Sequence, residues 1–341
     1  PMMKALIYEG PRLMNMRDVP EPTPGPDEVL IRVAYSGICG SELSGYLGQN
    51  TLRRPPLIMG HEFSGTIVAI GEQVAANPTL AIGQRVTVNP LGYCGYCRYC
   101  MGGRHQLCPR RELLGAHRPG SFAAFVTAPA RGVYPLPDNI SMEHAALTEP
   151  LACALHAAQI AGCSALDRAV VIGLGPIGLL TLQVLKSFGV TLICATDTDP
   201  DRRAMGAHFG VPALDPLAED VARYVQNATD GLGADVIFDA VGTQATRQQS
   251  IDLVATAGRV VLIGLHEEQS AIPINPIIRR EISLLGSFSY TPNIFAEALA
   301  WLSAARIELD PWLLKAPLAE GRACFERLLG QPGPVAKILL Y

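Results

Sequence analysis

Residues 169–180 read AVVIGLGPIGLL, an apolar run that leads into closely spaced glycines and a second apolar segment. The run from Ala169 to Ile172 has the length and composition of a strand buried on both faces. The glycines that follow predict a tight turn, and the apolar segment after them predicts a helix. Comparable apolar runs alternate with helical segments as far as Leu285. This alternation predicts an α/β fold with a parallel, doubly wound sheet.

The glycines of this stretch have the spacing G-x-G-x-x-G, with Pro176 and Ile177 before the last of them. Gly173 permits the turn, Gly175 lets the backbone approach a pyrophosphate, and Gly178 allows the helix to pack closely on the strand. The free amides at the start of the helix would then hold the negatively charged phosphates. Because the motif follows a strand and opens a helix, we predict a dinucleotide-binding site here.

An acidic residue follows the second strand of this region. Asp197 lies 24 residues after Gly173 and can accept hydrogen bonds from the ribose hydroxyls of adenosine. The same carboxylate repels a 2′-phosphate, so we predict NAD as the cofactor rather than NADP. Arg202 and Arg203 are close enough in sequence to bind a 2′-phosphate, and they leave NADP open as the alternative.

Four of the nine cysteines form one short loop with the spacing C-x2-C-x2-C-x7-C: Cys94, Cys97, Cys100 and Cys108. Four thiolates suit the tetrahedral shell of a structural zinc ion, and a site closed by four protein ligands carries out no chemistry itself. An iron–sulfur cluster and a set of free buried thiols are the alternatives, but the last spacing is too long for the ferredoxin pattern. We therefore predict a structural zinc lobe over about residues 92–110.

The composition excludes several classes of protein. A length of 341 residues suggests two domains, and 49% hydrophobic with 17% charged residues excludes a disordered chain. A net charge of −4 argues against a general affinity for nucleic acid or anionic membranes, and no uncharged run is long enough to span a bilayer. The first residues do not resemble a secretion signal, so we expect a cytoplasmic protein.

The two halves of the chain differ in their sequence pattern. Residues 1–154 contain short β-rich segments separated by turns, among them a predicted strand from Ser121 to Thr127, which predicts an irregular β-barrel or sandwich. Residues 155–290 carry the alternation of strands and helices. Residues 291–341 contain two helical segments and a last strand, Ala336 to Tyr341, which we expect to return to the first domain.

Cys39, His61 and Glu62 are candidate ligands of a second, catalytic zinc ion. Each of these side chains can bind zinc, and three protein ligands would leave the fourth position open for water or substrate. Taken alone, a single histidine and a following glutamate are more often structural. The evidence that these residues bind a metal comes from their combination with the cysteine loop and the dinucleotide motif.

Together these motifs resemble the zinc-dependent medium-chain dehydrogenase family. The resemblance is carried by Gly-Ile-Cys-Gly-Ser at 37–41, Gly-His-Glu-Phe-Ser-Gly at 60–65, the cysteine loop, Glu-Pro-Leu-Ala at 149–152 and Gly-Leu-Gly-Pro-Ile-Gly at 173–178. The motifs follow the order of the family through nearly the whole chain. The resemblance implies a β-rich, GroES-like catalytic domain and a Rossmann domain that binds the dinucleotide.

The resemblance also implies roles for individual residues. Cys39, His61 and Glu62 would form the catalytic zinc shell. Glu149 would be a nearby carboxylate able to bind the metal or swing toward it, and Ser41 would be the first hydroxyl of a proton relay. The Glu-Pro pair at 149 and 150 is similar to the polyol and threonine dehydrogenase branch, whereas ordinary alcohol dehydrogenases have a cysteine ligand near this position.

The activity implied by the resemblance is hydride transfer from a secondary hydroxyl of a polyol or sugar-derived alcohol to NAD, which gives a ketone. A threonine-type dehydrogenase acting on an amino alcohol is the alternative among enzymes. From other classes, the alternatives are a scaffold that binds NAD and zinc without catalysis, and a zinc ribbon that binds nucleic acid. The intact ligands argue against the first and the acidic charge against the second. The resemblance further implies a homodimer or homotetramer.

Three positions depart from the family pattern. Glu42 stands where an aspartate is usual, so a contact with His61 would need a longer reach. Ser44 stands where many relatives place a relay histidine, so we expect the outer proton path to use water or Ser44. Ser289 stands where sorbitol dehydrogenases usually have an arginine, which weakens any transfer of sorbitol specificity.

Arg53 and Arg54 lie in a loop shortly before His61. We expect both to be solvated, because arginines in loops are mostly exposed. The alternative is a contact with a phosphate or carboxylate of the substrate.

Overall fold

The computed structural model describes all residues from Pro1 to Tyr341, which form two compact units. The first unit comprises residues 1–149 and 291–341, and the second comprises residues 150–290. The boundary predicted between residues 154 and 155 lies inside a helix, Thr148–Ala161, near whose first residues the chain leaves the first unit. None of the helices combines the length and apolar character that crossing a lipid bilayer requires.

The first 149 residues form short strands joined by long connections. The strands are β1 (Met2–Gly10), β2 (Leu13–Pro20), β3 (Glu28–Gly37), β4 (Glu62–Ile70), β5 (Arg85–Val88), β6 (Leu91–Gly92), β7 (Glu112–Leu113), β8 (Phe125–Pro129) and β9 (Val133–Pro135). The helices are α1 (Gly40–Tyr46), α2 (Glu72–Ala76), α3 (Arg98–Met101), α4 (Met142–Ala145) and the start of α5 (Thr148–Ala161).

The rest of the chain alternates strands and helices and then returns to the first unit. The second unit contains β10 (Arg168–Ile172), α6 (Pro176–Ser187), β11 (Thr191–Thr196), α7 (Pro200–His208), β12 (Ala213–Leu214), α8 (Val221–Ala228), β13 (Ala234–Asp239), α9 (Gln244–Leu253), β14 (Val254–Leu262), α10 (Ile274–Arg279) and β15 (Ser283–Gly286). The returning segment contains α11 (Pro292–Ser303), β16 (Leu313–Ala316), α12 (Gly321–Leu329) and β17 (Lys337–Leu340).

Strand β3 organises the sheet of the first unit. This sheet has the order β16-β17-β3-β4-β5-β9, and β8 also pairs with β3. At the carboxyl end of β3, Gly37 lies opposite Glu62 at the start of β4 and opposite Leu339 in β17. Three segments that are far apart in sequence therefore meet at this end of the sheet.

The returning segment contributes to the main core of the first unit. Tyr8, Phe122, Phe325 and Ile338 are almost completely buried in one apolar cluster. Burying a side chain of this size contributes about 1.5–3 kcal/mol. The expected return of the last strand is observed in β17, whereas β16 was not predicted.

The sheet of the second unit has the order β12-β11-β10-β13-β14-β15, and all of its strand pairs are parallel. This confirms the predicted doubly wound α/β fold, in which ligands bind at the carboxyl ends of the strands where the order reverses. Ile172 at the end of β10 lies opposite Thr196 in β11 and Asp239 in β13. The glycine turn and Asp197 therefore lie at the same edge of the sheet.

One strand boundary was predicted wrongly in the first unit. The predicted strand Ser121 to Thr127 begins later in the structure, as β8 at Phe125. Before it, the Ser121 and Phe122 amides donate to the carbonyls of Gly60 and Met59. Because these residues pair irregularly with the segment before β4, they do not extend the ladder of β8 with β3.

Candidate active site

The predicted metal ligands lie at the junction of β3 and β4. Cys39 follows the end of β3 and is the N-cap of α1 in extended conformation. His61 directly precedes the neighbouring strand β4, and Glu62 is the first residue of that strand. Both side chains are buried. Gly60 before them has a φ of +105°, and a Cβ there would lie 2.7 Å from Ser121 Oγ. A glycine is therefore required for this turn, which directs His61 toward Cys39.

The donor atoms of Cys39, His61 and Glu62 lie within 4.8 Å of one another. One thiolate, one imidazole and one carboxylate form a donor set typical of catalytic zinc, whose bonds to such atoms are about 2.0–2.3 Å long. All three side chains come from segments fixed by the sheet. The residues present therefore fit a zinc ion with an open fourth position.

Glu42 positions the His61 ring. Its Oε1 lies 2.7 Å from His61 Nδ1, and both side chains are buried. Burial alone would lower the pKa of His61, but the charges of Glu42 and Glu149 and the hydrogen bonds with Cys39 and Glu42 together outweigh it and hold the pKa well above its usual range. A carboxylate on the second nitrogen of a zinc-binding histidine fixes the ring orientation and strengthens the other nitrogen as a ligand. The longer Glu42 side chain makes the contact for which the family usually has an aspartate.

Lys337 in β17 pairs with Glu62. Its Nζ lies 2.7 Å from Glu62 Oε2 and donates a second hydrogen bond to the carbonyl of Ile38 at 2.9 Å. Both charged side chains are at most 2% exposed. Burial alone would lower the pKa of Lys337, but the Glu62 carboxylate together with the charges of Cys39 and Glu42 outweighs it and raises the pKa above its ordinary value. A Cβ at Gly37 would lie 2.6 Å from Glu62 Oε2, so this pair requires a glycine there.

Glu149 lies beside this cluster without belonging to it. Its Oε2 is 3.9 Å from His61 Nε2, and the residue is buried. It is not one of the three side chains whose donor atoms converge. The structure therefore places the carboxylate within reach of the imidazole, and its role as a ligand stays a prediction.

Ser41 Oγ has two hydrogen-bond partners in the first unit. It donates to Cys39 Sγ at 3.3 Å and accepts from Arg53 Nη2 at 3.1 Å. Ser44 does not continue this chain, because its hydroxyl donates to the backbone carbonyl of Ser41. Of the two expected outer paths, water or Ser44, the structure shows no hydrogen bond that links the Ser44 hydroxyl to Ser41 Oγ, and the path stays a prediction. The expectation that Arg53 is solvated is wrong, since this residue is only 4% exposed.

The four cysteines of the lobe converge in the same way. Their sulfur atoms lie within 4.8 Å of one another. Backbone amides of Cys97 and Cys100 donate to Cys94 Sγ and Cys97 Sγ at 3.3 and 3.4 Å. Burial alone would raise the pKa of Cys94, but hydrogen bonds from the Tyr96 and Cys97 amides and with the Cys108 and Cys97 side chains together outweigh it and lower the pKa to about 6. The loop thus fits the thiolate shell of a structural zinc ion.

The dinucleotide motif lies between β10 and α6 in the second unit. Gly173 has a φ of +93°, and a Cβ at Gly178 would lie 1.8 Å from the Gly173 carbonyl oxygen. Gly175 is the N-cap of α6, with Pro176 and then Ile177 in its first turn. No other residue fits at Gly178, so the helix start packs directly on the turn and leaves its amides available for an anion.

Asp197 contacts the glycine turn. Its Oδ2 accepts from the Leu174 amide at 2.9 Å, and its Oδ1 accepts from the Asp199 amide at 2.8 Å. Arg203 donates to the Asp197 carbonyl and lies 3.6 Å from Asp215. The Arg203 side chain is therefore held by contacts with residues of the second unit.

Sequence reasoning missed Lys337 and assigned Arg53 to solvent. A signal was present for Lys337, because it interrupts the apolar run from Val335 to Leu340 and a lysine in a buried strand needs a counter-charge. Arg53 had no such signal. It lies next to Arg54 in a loop without periodicity, and only the folded structure separates the buried arginine from the exposed one.

Comparisons with known proteins agree with this architecture. The family model of the alcohol dehydrogenase GroES-like domain matches residues 25–138, and that of the zinc-binding dehydrogenases matches residues 176–304. D-arabitol-phosphate dehydrogenase of Enterococcus avium is 36% identical over 335 residues, which cover 96% of this chain and 94% of that protein. Sorbitol dehydrogenase of Halalkalibacterium halodurans is 38% identical over 312 residues, which cover 89% of this chain and 90% of that protein.

A solved structure is similar over the full length. It is a zinc-binding dehydrogenase of Sinorhizobium meliloti 1021 bound to NADP, with a TM-score of 0.90 and 32% identity over 100% of this chain and 99% of that one. Both family models and both relatives indicate the same reaction class. The chain therefore belongs to the zinc-dependent medium-chain alcohol and polyol dehydrogenases and is an NAD(P)-dependent oxidoreductase acting on CH–OH donors.

Proposed function

We propose that this enzyme oxidises a secondary hydroxyl of a polyol or sugar-derived alcohol to a ketone, with zinc bound by Cys39, His61 and Glu62 and with NAD as hydride acceptor. The observation that supports this most directly is the convergence of the three donor atoms within 4.8 Å. The relatives support the substrate class, because they are named for the oxidation of D-arabitol phosphate and sorbitol.

Individual residues of the chain have distinct roles in the proposed reaction. When bound, zinc would lower the pKa of a coordinated hydroxyl, and the nicotinamide would accept the hydride. Glu42 holds the imidazole of His61 in orientation, and Lys337 holds the carboxylate of Glu62. Ser41 Oγ, beside the Cys39 thiolate, is the group proposed to receive the substrate proton.

The same proposal includes a second zinc ion in the cysteine lobe, which would be structural. Glu149 is proposed as a carboxylate that can bind the catalytic metal when the fourth position changes occupant. The family resemblance supports a homodimer or homotetramer, and the cytoplasmic location stays a prediction.

A panel of candidate substrates tests the proposed function. We expect NADH formation, followed by its absorbance, with one or more polyols such as D-arabitol, its phosphates and sorbitol, and little or none with L-threonine. A chelator that removes the catalytic zinc is expected to abolish the reaction, and added zinc to restore it. Turnover of L-threonine alone would indicate an amino-alcohol dehydrogenase. Full zinc content without any turnover would favour a catalytically silent scaffold.

The preference for NAD depends on Asp197. Replacing it with Asn is expected to reduce kcat/KM for NAD relative to NADP by about 10–100-fold, because a charge-assisted hydrogen bond to the ribose and the repulsion of a 2′-phosphate are both lost. The amide oxygen can still accept from Leu174, whereas the contact with the Asp199 amide is lost, so the ratio of the two cofactors and not the absolute rate is the readout. Asp201→Asn, at an exposed position in α7, is the matched control. An unchanged NAD-to-NADP ratio in the Asp197 variant would contradict this assignment.

A further inference from the structure

Arg53 is a buried cation beside the proposed metal site. Its side chain is 4% exposed, whereas the neighbouring Arg54 lies at the surface. It crosses α1 at Gly45, where an added Cβ would lie 2.7 Å from Arg53 Cδ. The absence of a side chain at Gly45 therefore makes room for the arginine to reach Ser41.

The charge of Arg53 is not balanced by an ion pair. Lys337, the comparable buried cation of this region, contacts the Glu62 carboxylate, but no carboxylate lies within 4.0 Å of the Arg53 guanidinium. Its one side-chain hydrogen bond goes from Nη2 to Ser41 Oγ at 3.1 Å, and Nε is buried without a partner. A guanidinium has five N–H donors, and leaving such donors buried and unpaired costs free energy.

Arg53 is also close to the reacting centre. Ser41 Oγ, to which it donates, lies 3.3 Å from the Cys39 sulfur. A single hydroxyl group therefore separates the guanidinium from a proposed metal ligand. A substrate whose hydroxyl is bound at that centre would bring its neighbouring carbons and their substituents toward Arg53.

We propose that Arg53 binds an anionic group, a phosphate or a carboxylate, on the polyol substrate. This inference rests on the proposed function and makes its substrate class more specific. The planar fork of an arginine can donate two parallel hydrogen bonds to such an oxyanion, and these are stronger when both partners are charged. The bound anion would satisfy Nε and neutralise the buried charge, which a neutral polyol leaves unbalanced.

Four substrates that share one carbon skeleton test the proposal. They are D-arabitol, its 1- and 5-phosphates, and D-arabinonate, compared in the wild-type enzyme and in Arg53→Gln, Arg53→Lys and Arg54→Gln. We expect Arg53→Gln to lower kcat/KM for at least one anionic substrate by about 30–100-fold more than for D-arabitol, with the excess mainly in KM, because any effect through Ser41 is common to all four substrates. Lys at position 53 retains the charge and should restore part of the loss. Arg54→Gln, at the exposed neighbour, should match the wild type.

The outcomes separate this proposal from a purely positioning role. If Arg53 only orients Ser41, its replacement will lower kcat equally for neutral and anionic substrates, and the proposal is overturned. A wild-type enzyme that prefers D-arabitol to its anionic derivatives overturns it as well. Should the Gln variant fold poorly, as judged by its melting temperature, the anionic and neutral substrates are compared in the Lys variant instead.

A binding measurement decides the inference without turnover. Calorimetric titration of the zinc-loaded enzyme with inorganic phosphate is expected to show binding that Arg53→Gln weakens at least about tenfold and Arg54→Gln leaves unchanged. Equal phosphate binding in all variants overturns the inference. If none of the polyols is oxidised, the proposed function fails, and the phosphate titration still decides whether Arg53 is an anion site.

Discussion

Replacement of His61 with Asn is expected to remove one of two zinc ions per chain and to lower kcat/KM for the polyol substrate by about 10³-fold or more. His61 is one of the three converging donors, and its Nδ1 lies 2.7 Å from Glu42 Oε1. The remaining thiolate and carboxylate form an incomplete shell. Lewis-acid stabilisation of an alkoxide is worth several kcal/mol, and each 1.36 kcal/mol changes the rate tenfold.

The measurement is zinc per chain by elemental analysis together with steady-state kinetics. His208→Asn is the matched control, because this histidine is exposed at the end of α7 in the second unit. It should retain both ions and full activity. If the His61 variant keeps two zinc ions and near wild-type activity, the proposed catalytic centre is wrong. If both ions are lost, the effect is on folding rather than on this one site.

Replacement of Lys337 with Met is expected to destabilise the zinc-free first unit by about 3–5 kcal/mol, because it leaves the Glu62 carboxylate buried without its counter-charge. Removing both charges in Glu62→Gln/Lys337→Met should recover much of this loss, since the cost arises from the unpaired ion. Bound zinc supplies another positive charge to Glu62, so the loss should be smaller in the zinc-loaded protein.

Urea unfolding followed by tryptophan fluorescence measures this effect. The two tryptophans of the chain, Trp301 and Trp312, both belong to the first unit, so the signal reports on that unit alone. Lys315→Met is the matched control: this lysine is 51% exposed in β16 and lies 3.5 Å from Glu143, and surface pairs contribute about 1 kcal/mol or less. An equal effect of the Lys315 and Lys337 variants, or a double variant as unstable as the single one, would refute the role assigned to the buried pair.

The sequence predicted those features whose residues are close together along the chain. The cysteine loop and the glycine motif each occupy one short segment, so their spacing alone determines which atoms can converge. The doubly wound sheet was predictable for a related reason, because strands buried on both faces give continuous apolar runs. Cys39, His61 and Glu62 were candidates from their chemistry, but only the family resemblance assigned them to one metal shell, since a separation of more than twenty residues leaves their distances undetermined by local pattern.

The charged partners of these ligands could not be predicted in the same way. Lys337 is 275 residues from Glu62, and only the pairing of β17 with β3 brings them together. Arg53 depends on the space left by Gly45, a detail of packing that no spacing rule contains. The contact of Glu42 with His61 could not be predicted either, because a glutamate side chain has several rotamers and only packing in the buried site selects one of them.

The position of β17 beside β3 has a consequence for dividing the polypeptide. A fragment containing only residues 1–149 would leave the Ser36–Gly37 end of β3 without its β17 partner and would lack Phe325, Ile338 and the ammonium that neutralises Glu62. Such a truncation should be insoluble or unfolded, although it includes every metal-binding side chain proposed for this domain. Adding residues 291–341 as a separate peptide should rescue it by complementation, so grafting this catalytic half onto another cofactor domain requires two splice points.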